Sequence, residues 1–191
     1  GYSLAKQIDT DMVQLGRTFN GGAATAAYTG GYAGGDGTTA YVAGSNNQSA
    51  LTDAAIRRTI QRLDDNDVPT DGRFFMIPPS ARNTLMGLDR YTAMDVVGEA
   101  GNSNTIRNGQ IGNLYGMPVY VTSNCDTTSG SAAARVALMG HKDAAVLVEQ
   151  LGIRSQTQYK QDYLSTLYTS DTIYGVKELR NSSAFALVVP A

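Results

Sequence analysis

From Gly152 to its end the chain reads as strand after strand, and no other feature constrains the fold as much. Tyr, Thr, Val and Leu dominate this stretch, and they suit a pleated, half-buried surface. Breaks divide it into expected strands at 153–158, 163–168, 173–179 and 184–189. The helical patterns all come earlier. Leu4, Ile8, Met12, Leu15 and Phe19 recur on one helix face, which predicts a helix of about five turns over 2–19 whose stripe rests on something downstream. Asn20-Gly21-Gly22 stops it. A second helix is expected over 52–65. Thr52 is its cap, Leu51 can staple onto Ile56, and Ile56, Ile60 and Leu63 form its buried stripe. Helices early and strands late, without an alternating strand–helix rhythm, predict an α+β fold rather than a doubly wound one.

Between these ends the punctuation is clear. Pro69 prevents re-entry into the second helix, and residues 73–77 form an apolar strand expected to be buried on both faces. Pro78-Pro79 ends that strand and starts a short helix through Leu85 and Met86. Residues 20–48, rich in Gly, Ala and Thr, read as a long loop with Tyr28, Tyr32 and Tyr41 as its large anchors. Residues 89–110 also have loop composition. In IGNLYGMPVYVTSN (111–124), Gly116 permits a sharp turn and Pro118 sits where a strand tolerates the loss of an N–H. The stretch is a buckle launching a strand over 117–122, with Val119 and Val121 facing one way and Tyr120 the other. Further strands are expected at 135–139 and 145–150.

Composition removes several classes of function. At 191 residues a core forms without metal or disulfide. Only 17% of the residues are charged, and uncharged polar residues replace them, a surface suited to lateral packing against other proteins. The net charge is −2 and the densest basic stretch is Ile56-Arg57-Arg58, so the footprint of a nucleic-acid reader is missing and those arginines read as surface salt-pair partners. No apolar run approaches the roughly 20 residues of a membrane span, and no membrane partner is expected. The chain opens at Gly1 rather than Met, as a processed or trimmed product would.

Chemistry is sparse. One cysteine and one histidine leave Cys125 and His141, with Asp143 or Asp126 as orienter, as the only Cys–His arrangement, and nothing beside Cys125 would activate its thiol. Asp64 and Asp65 close a helix in solvent, and Asp9 and Asp11 diverge around theirs by about 200°. Asp36 in GGDG is one carboxylate where calcium takes six or more oxygens, and the Gly-rich 20–48 region has no Gly-Lys-Ser/Thr phosphate loop. No catalytic residue, cofactor or metal is expected, and the 11 tyrosines read as packing and interface anchors.

One order of motifs carries a resemblance. LTDAAIRRTIQRLDDNDVPTDGRFFMIPPSARNTLM holds a helix, a D…VP…GR turn at 67–73, an apolar strand and the Pro78-Pro79 break. NGQIGNLYGMPVYVTSN carries G-x-x-x-G-x-P-V at 112–119, and YGVKELRNSSAFALVVPA closes the chain at 174–191. In this order and spacing the chain resembles the major capsid protein of tailed bacteriophages, with the Hong Kong 97-type fold. The resemblance implies a spine helix at 1–19, an axial lobe at 20–150, and antiparallel strands of a peripheral lobe at 151–191 packed on the spine helix. It implies a shell subunit that self-assembles as hexamers and pentamers into an icosahedral head, in the host cytoplasm and then as part of the virion. The head would hold double-stranded DNA without sequence-specific contact, with scaffolding, portal and decoration proteins as further partners and no cofactor. Tyr159, Lys160, Gln161 and Asp162 would fall where the family makes contacts around three-fold positions, and the 98–110 loop, with Asn102, Asn104 and Arg107, is a candidate for axial contacts. The residues start at the spine helix, without the family's N-terminal arm and extended hairpin. A second class stands beside this one: a non-enzymatic tail-fibre or adhesin-like module binding a glycan through Tyr28, Tyr32 and the polar loops.

Overall fold

The computed structural model describes residues 2–88, 112–130 and 134–191. Three helices are described: α1 (Tyr2–Gln14), α2 (Asp53–Asp65) and α3 (Pro79–Met86). The strands are β1 (Tyr32–Ala33), β2 (Arg73–Ile77), β3 (Asn113–Leu114), β4 (Met117–Val121), β5 (Ala134–His141), β6 (Ala145–Lys160), β7 (Ser165–Glu178) and β8 (Ala184–Pro190). They form a six-stranded sheet in the order β1-β8-β5-β2-β4-β3 and a separate two-stranded ribbon of β6 and β7. The sheet is mixed. β1 runs parallel to β8 and β2 parallel to β4, while β5 is antiparallel to both β2 and β8.

Side-chain alternation sorts the sheet into two faces. Phe75 and Ile77 of β2, Met139 of β5 and Leu187 of β8 point toward α2 and α3, where they meet Leu51, Ile56, Leu63 and Leu85 in a core with essentially no solvent contact. Removing one such side chain from water is worth about 1.5–3 kcal/mol, so this layer dominates stability. The local signals of α2 work as read. Thr52 Oγ1 accepts the Ala55 N–H at 3.3 Å, and Leu51 and Ile56 are both fully buried. Beyond the helix, buried Arg73 reaches back to Asp64 at 2.6 Å and to the Pro69 carbonyl at 2.9 Å, which ties the Asp67–Gly72 turn to β2.

The opposite face is covered by the segment read as a loop. Tyr28 and Tyr41 are buried against Val136 and Val188, and Tyr32 enters the sheet edge in β1. Arg62 lies over the Tyr32 ring at 3.6 Å and bonds the Gly37 carbonyl, so α2 fastens this segment in place. Its poverty in aliphatic residues had hidden that packing. The strand β2 corrects another expectation: Arg73, Phe75 and Ile77 on one face are buried, while Phe74 and Met76 on the second face are half-buried. The covering segment shields β8 and β5 more fully than β2.

The IGNLYGMPVYVTSN stretch is a β3–β4 hairpin with a two-residue loop. Tyr115 at φ 50° and Gly116 at φ 80° give the left-handed pair of a type I′ turn, and Leu114 pairs with Met117, Asn113 with Pro118. Val119 is half-buried against the core, but Val121, expected on the same inward face, is 40% exposed. β3 pairs only with the first two residues of β4, so the later ones have no strand beyond them among the described residues.

α1 is shorter than its pattern. The helix stops at Gln14, a 3-10 turn follows at Leu15–Arg17, and a second turn at Phe19–Gly21 passes through left-handed Asn20 at φ 56°. Phe19 therefore leaves the helical stripe and is buried against Leu138 and Ala184. No residue of α1 itself is fully buried.

Candidate functional site

The ribbon is the feature that sets this chain apart from an ordinary α+β domain. The separate strands expected at 145–150 and 153–158 are one continuous strand, β6, of 16 residues, and β7 runs 14 residues back. Gly152 sits where the register slips between Leu151 and Arg154, and a bulge absorbs it without ending the pairing. The expected boundary between residues 150 and 151 falls inside β6. The last strand, expected in the same lobe as the ribbon, instead lies within the six-stranded sheet between β1 and β5.

Near its base the ribbon is anchored. The Tyr174 hydroxyl donates to Asp11 of α1, which pushes the phenol above its usual range, and Leu179 N–H bonds the Ala144 carbonyl at 2.9 Å. Beyond Leu151 nothing covers it: every residue from 152 to 169 is exposed. Arg154 forks onto Asp171 across the strands at 2.9 and 2.8 Å, and that hydrogen bonding holds the Asp171 carboxyl below its ordinary range. On one face Tyr159 pairs opposite Thr166 and Tyr168 opposite Thr157, which places the two tyrosines diagonally, both largely exposed. The turn at Gln161–Tyr163 and left-handed Leu164, φ 48°, make the tip.

The sequence-derived contact residues divide accordingly. Tyr159 and Lys160 end β6, Gln161 and Asp162 lie in the tip turn, and all four are exposed. Asn102, Asn104 and Arg107 lie outside the described residues. Tyr28, on which the glycan reading rested, is buried and donates its hydroxyl to Asp126 at 2.7 Å.

That bond belongs to a cluster that sequence reasoning missed. Arg17, just past α1, approaches both Asp126 oxygens at 2.6 and 2.9 Å, and the Thr127 N–H reaches the same carboxylate at 2.9 Å. Burial pushes the Asp126 carboxyl up, but the hydrogen bonds from Arg17, Tyr28 and Thr127 outweigh it and bring the group below its ordinary range. Burial raises the Tyr28 phenol, and its bond to Asp126 adds to the rise. The cluster joins the end of α1, the covering segment and the turn after β4. No sequence pattern links three residues so far apart; a tyrosine in a Gly/Ala-rich stretch was the one visible hint.

Cys125 and His141 are both buried. Burial pushes the Cys125 thiol up to about 11, far from a reactive thiolate. His141 Nδ1 accepts the Asp143 N–H at 3.1 Å while Nε2 faces the Asp71 carbonyl at 2.7 Å, so both ring nitrogens serve the turns around them. Among the described residues no three His, Cys, Asp or Glu side chains group as metal ligands do, and no helix is long and apolar enough to cross a membrane.

The described residues thus form an α+β body bearing a long, exposed β-ribbon beside a helix. The sequence matches the phage capsid protein family over residues 1–188, and the chain belongs to that family. Solved structures agree. A chain of Mycobacterium phage Che8 superposes with a TM-score of 0.69 at 22% identity, covering 97% of this chain and 59% of that one. The capsid of Cyanophage P-SCSP1u gives 0.68 at 17% identity, with 98% and 62% covered. The mature capsid of bacteriophage PhiM1 gives 0.66 at 17%, with 99% and 62% covered. The fold is thus the Hong Kong 97-type capsid fold. The chain spans about three-fifths of the length of these solved chains. No curated protein matches it.

Proposed function

We propose that this chain is the folded core of a major capsid protein that self-assembles into the icosahedral head of a tailed double-stranded DNA bacteriophage. Its role is structural rather than catalytic. The observation that carries the reading is the ribbon. A two-stranded hairpin is marginal alone in water, and this one is exposed on both faces from 152 to 169. Its outer edges have no strand partner among the described residues, which is a template for contact with other chains. A shell supplies such contacts on every side. Many modest contacts repeated by symmetry then give stability that no single one has.

In this reading α1 and the ribbon form the peripheral lobe, and the six-stranded sheet with α2 and α3 forms the axial lobe. The lobe division follows the sheet rather than a cut at residue 150. Tyr159, Lys160, Gln161 and Asp162 contact neighbouring copies around the three-fold positions of the shell. Asn102, Asn104 and Arg107 are proposed for axial contacts on the resemblance alone. The same reading places the protein in the virion after assembly in the host cytoplasm. Packaged DNA is held without sequence readout, in keeping with a net charge of −2, and scaffolding, portal and decoration proteins are further partners.

Electron microscopy of the full-length protein, expressed with and without the products of neighbouring genes, tests this. Closed polyhedral particles are the expected result. A protein that stays monomeric under all of these conditions is no shell subunit.

A further inference from the structure

The turn at Phe19–Gly21 carries the one Asn-Gly pair among the described residues, Asn20-Gly21. Before a glycine an asparagine side chain can cyclise, because no Cβ shields the following peptide nitrogen. In that reaction the deprotonated Gly21 nitrogen attacks Asn20 Cγ, the new C–N bond closes a succinimide ring, and the Cγ–Nδ2 bond breaks with loss of ammonia. Water then opens the ring at either carbonyl and leaves aspartate or isoaspartate at position 20. Gly21 is exposed and Asn20 only half-buried, so exclusion of water does not prevent the reaction.

A torsion and three hydrogen bonds oppose it instead. Asn20 is left-handed, with φ 56° and ψ 38°, which turns the Gly21 nitrogen away from the side of the residue that carries Cβ. Ring closure therefore needs a rotation about the Asn20 Cα–C bond. That rotation is resisted by the side chain, whose Nδ2 donates to the Gly30 carbonyl at 2.9 Å and to the Tyr32 hydroxyl at 3.0 Å. The attacking nitrogen is itself engaged: the Gly21 N–H donates to Asn181 Oδ1 at 2.8 Å. A hydrogen bond made by the protonated form disfavours loss of the proton, and the nucleophile forms only by that loss. Asn181 opens the turn at Asn181–Ser183 just before β8, far away in sequence.

We propose that Asn20 is a deamidation site that the native fold holds closed, with Asn181 as its guard. The reaction then proceeds only from states in which the turn has opened, and its rate follows their population. The product does not fit the turn it came from. A carboxylate at position 20 has no N–H to give to Gly30 and Tyr32, and it sets an oxygen against the Gly30 carbonyl oxygen. Isoaspartate also lengthens the backbone by one carbon. Deamidation thus marks chains that have spent time outside the native fold and weakens their return to it. The inference is independent of the shell reading.

Peptide mapping by mass spectrometry tests it on the full-length protein, incubated at mildly alkaline pH either folded or in guanidinium. The map separates position 20 from the Asn108-Gly109 pair, which lies outside the described residues. Loss of the Asn20 amide is expected to be at least about tenfold slower in the folded protein than in the denatured one. Asn181→Ala is expected to raise the folded-state rate several-fold, and Asn181→Asp, which keeps an acceptor for the Gly21 N–H, to restore most of the protection. Tyr32→Phe removes one acceptor of Nδ2 and is expected to give a smaller rise. Asn20→Asp is expected to lower the thermal midpoint by about 3–6 °C. Equal rates in the folded and denatured protein overturn the proposal. So does an unchanged rate in folded Asn181→Ala or, where that variant does not fold, in Tyr32→Phe. A midpoint for Asn20→Asp equal to the parent's shows that the product fits the turn, and removes the mark. None of these outcomes depends on particle formation.

Discussion

The six-stranded sheet and the β6–β7 ribbon are made from the same kind of strand and are stabilised in opposite ways. In the sheet, β8 is buried along six of its seven residues, between β1 and β5 and beneath α2 and α3. In the ribbon, a longer strand pair buries no residue fully. The sheet carries its own core; among the described residues the ribbon has backbone pairing, the Arg154–Asp171 ion pair, hydroxyl bonds from Ser170 and Thr172 to the facing strand, and an anchor on α1. This is why stability and assembly should separate cleanly when the two regions are perturbed.

The sharpest way to break the contrast is to damage the sheet. Phe75→Ala empties a fully buried site between β2 and the helices and is expected to cost about 3–5 kcal/mol, measured as a loss of denaturant midpoint. A loss below about 1 kcal/mol would mean that the sheet is not the stability core. Next comes the cluster that joins α1 to the sheet body. Asp126→Asn, which weakens charge-assisted bonds from Arg17 and Tyr28, is expected to cost about 2 kcal/mol at neutral pH. Its pH dependence has a definite sign. The Asp126 pKa is lowered in the folded state, so its contribution is fully present above the unfolded value near about 4 and disappears as pH falls through the folded value. Between the unfolded and the folded value, acid titration of stability should therefore be shallower in Asp126→Asn than in the parent. Equal slopes would remove the cluster from the account of acid lability.

Smaller effects sharpen the comparison. Gly116→Ala places a side chain at φ 80° in the β3–β4 turn and should cost about 1 kcal/mol in thermal unfolding, since nothing near it obstructs a Cβ and only the backbone conformation objects. Tyr168→Ala on the open ribbon face should change monomer stability by no more than about 0.5 kcal/mol, while particle yield falls. If it destabilises the monomer as strongly as Phe75→Ala, the ribbon is packed within its own chain and the contrast is wrong.

Much of this fold was legible from local chemistry. α2 with its Thr52 cap, α3 starting at Pro79, the strand at 73–77 and the turn at Gly116 all stand where residue types place them. The tip near Tyr159–Asp162 was legible too, because polar residues separate two strand-forming runs. Other features were not. Phe19 continued the helical stripe in sequence but turns away through Asn20, because a pocket beside Leu138 and Ala184 offers it more burial than α1 does. The runs at 145–150 and 153–158 looked like two strands, yet ladder pairing on both sides of Gly152 carries one strand through. The buried roles of Tyr28 and Tyr41 were invisible in a Gly/Ala-rich stretch, since small residues there serve to let the chain lie flat on β5 and β8.

Taken alone, the sequence determined the α+β class, the order of the main helices and strands, and most of the caps and turns that bound them. These follow from spacing, charge and backbone preference, which act over a few residues. Only the tertiary structure decided that β8 inserts between β1 and β5, that Arg17, Tyr28 and Asp126 meet, and that β6 and β7 stand apart as an exposed ribbon. Those outcomes depend on which distant surfaces exclude water together, and a periodic pattern records that a face is apolar without recording what will cover it.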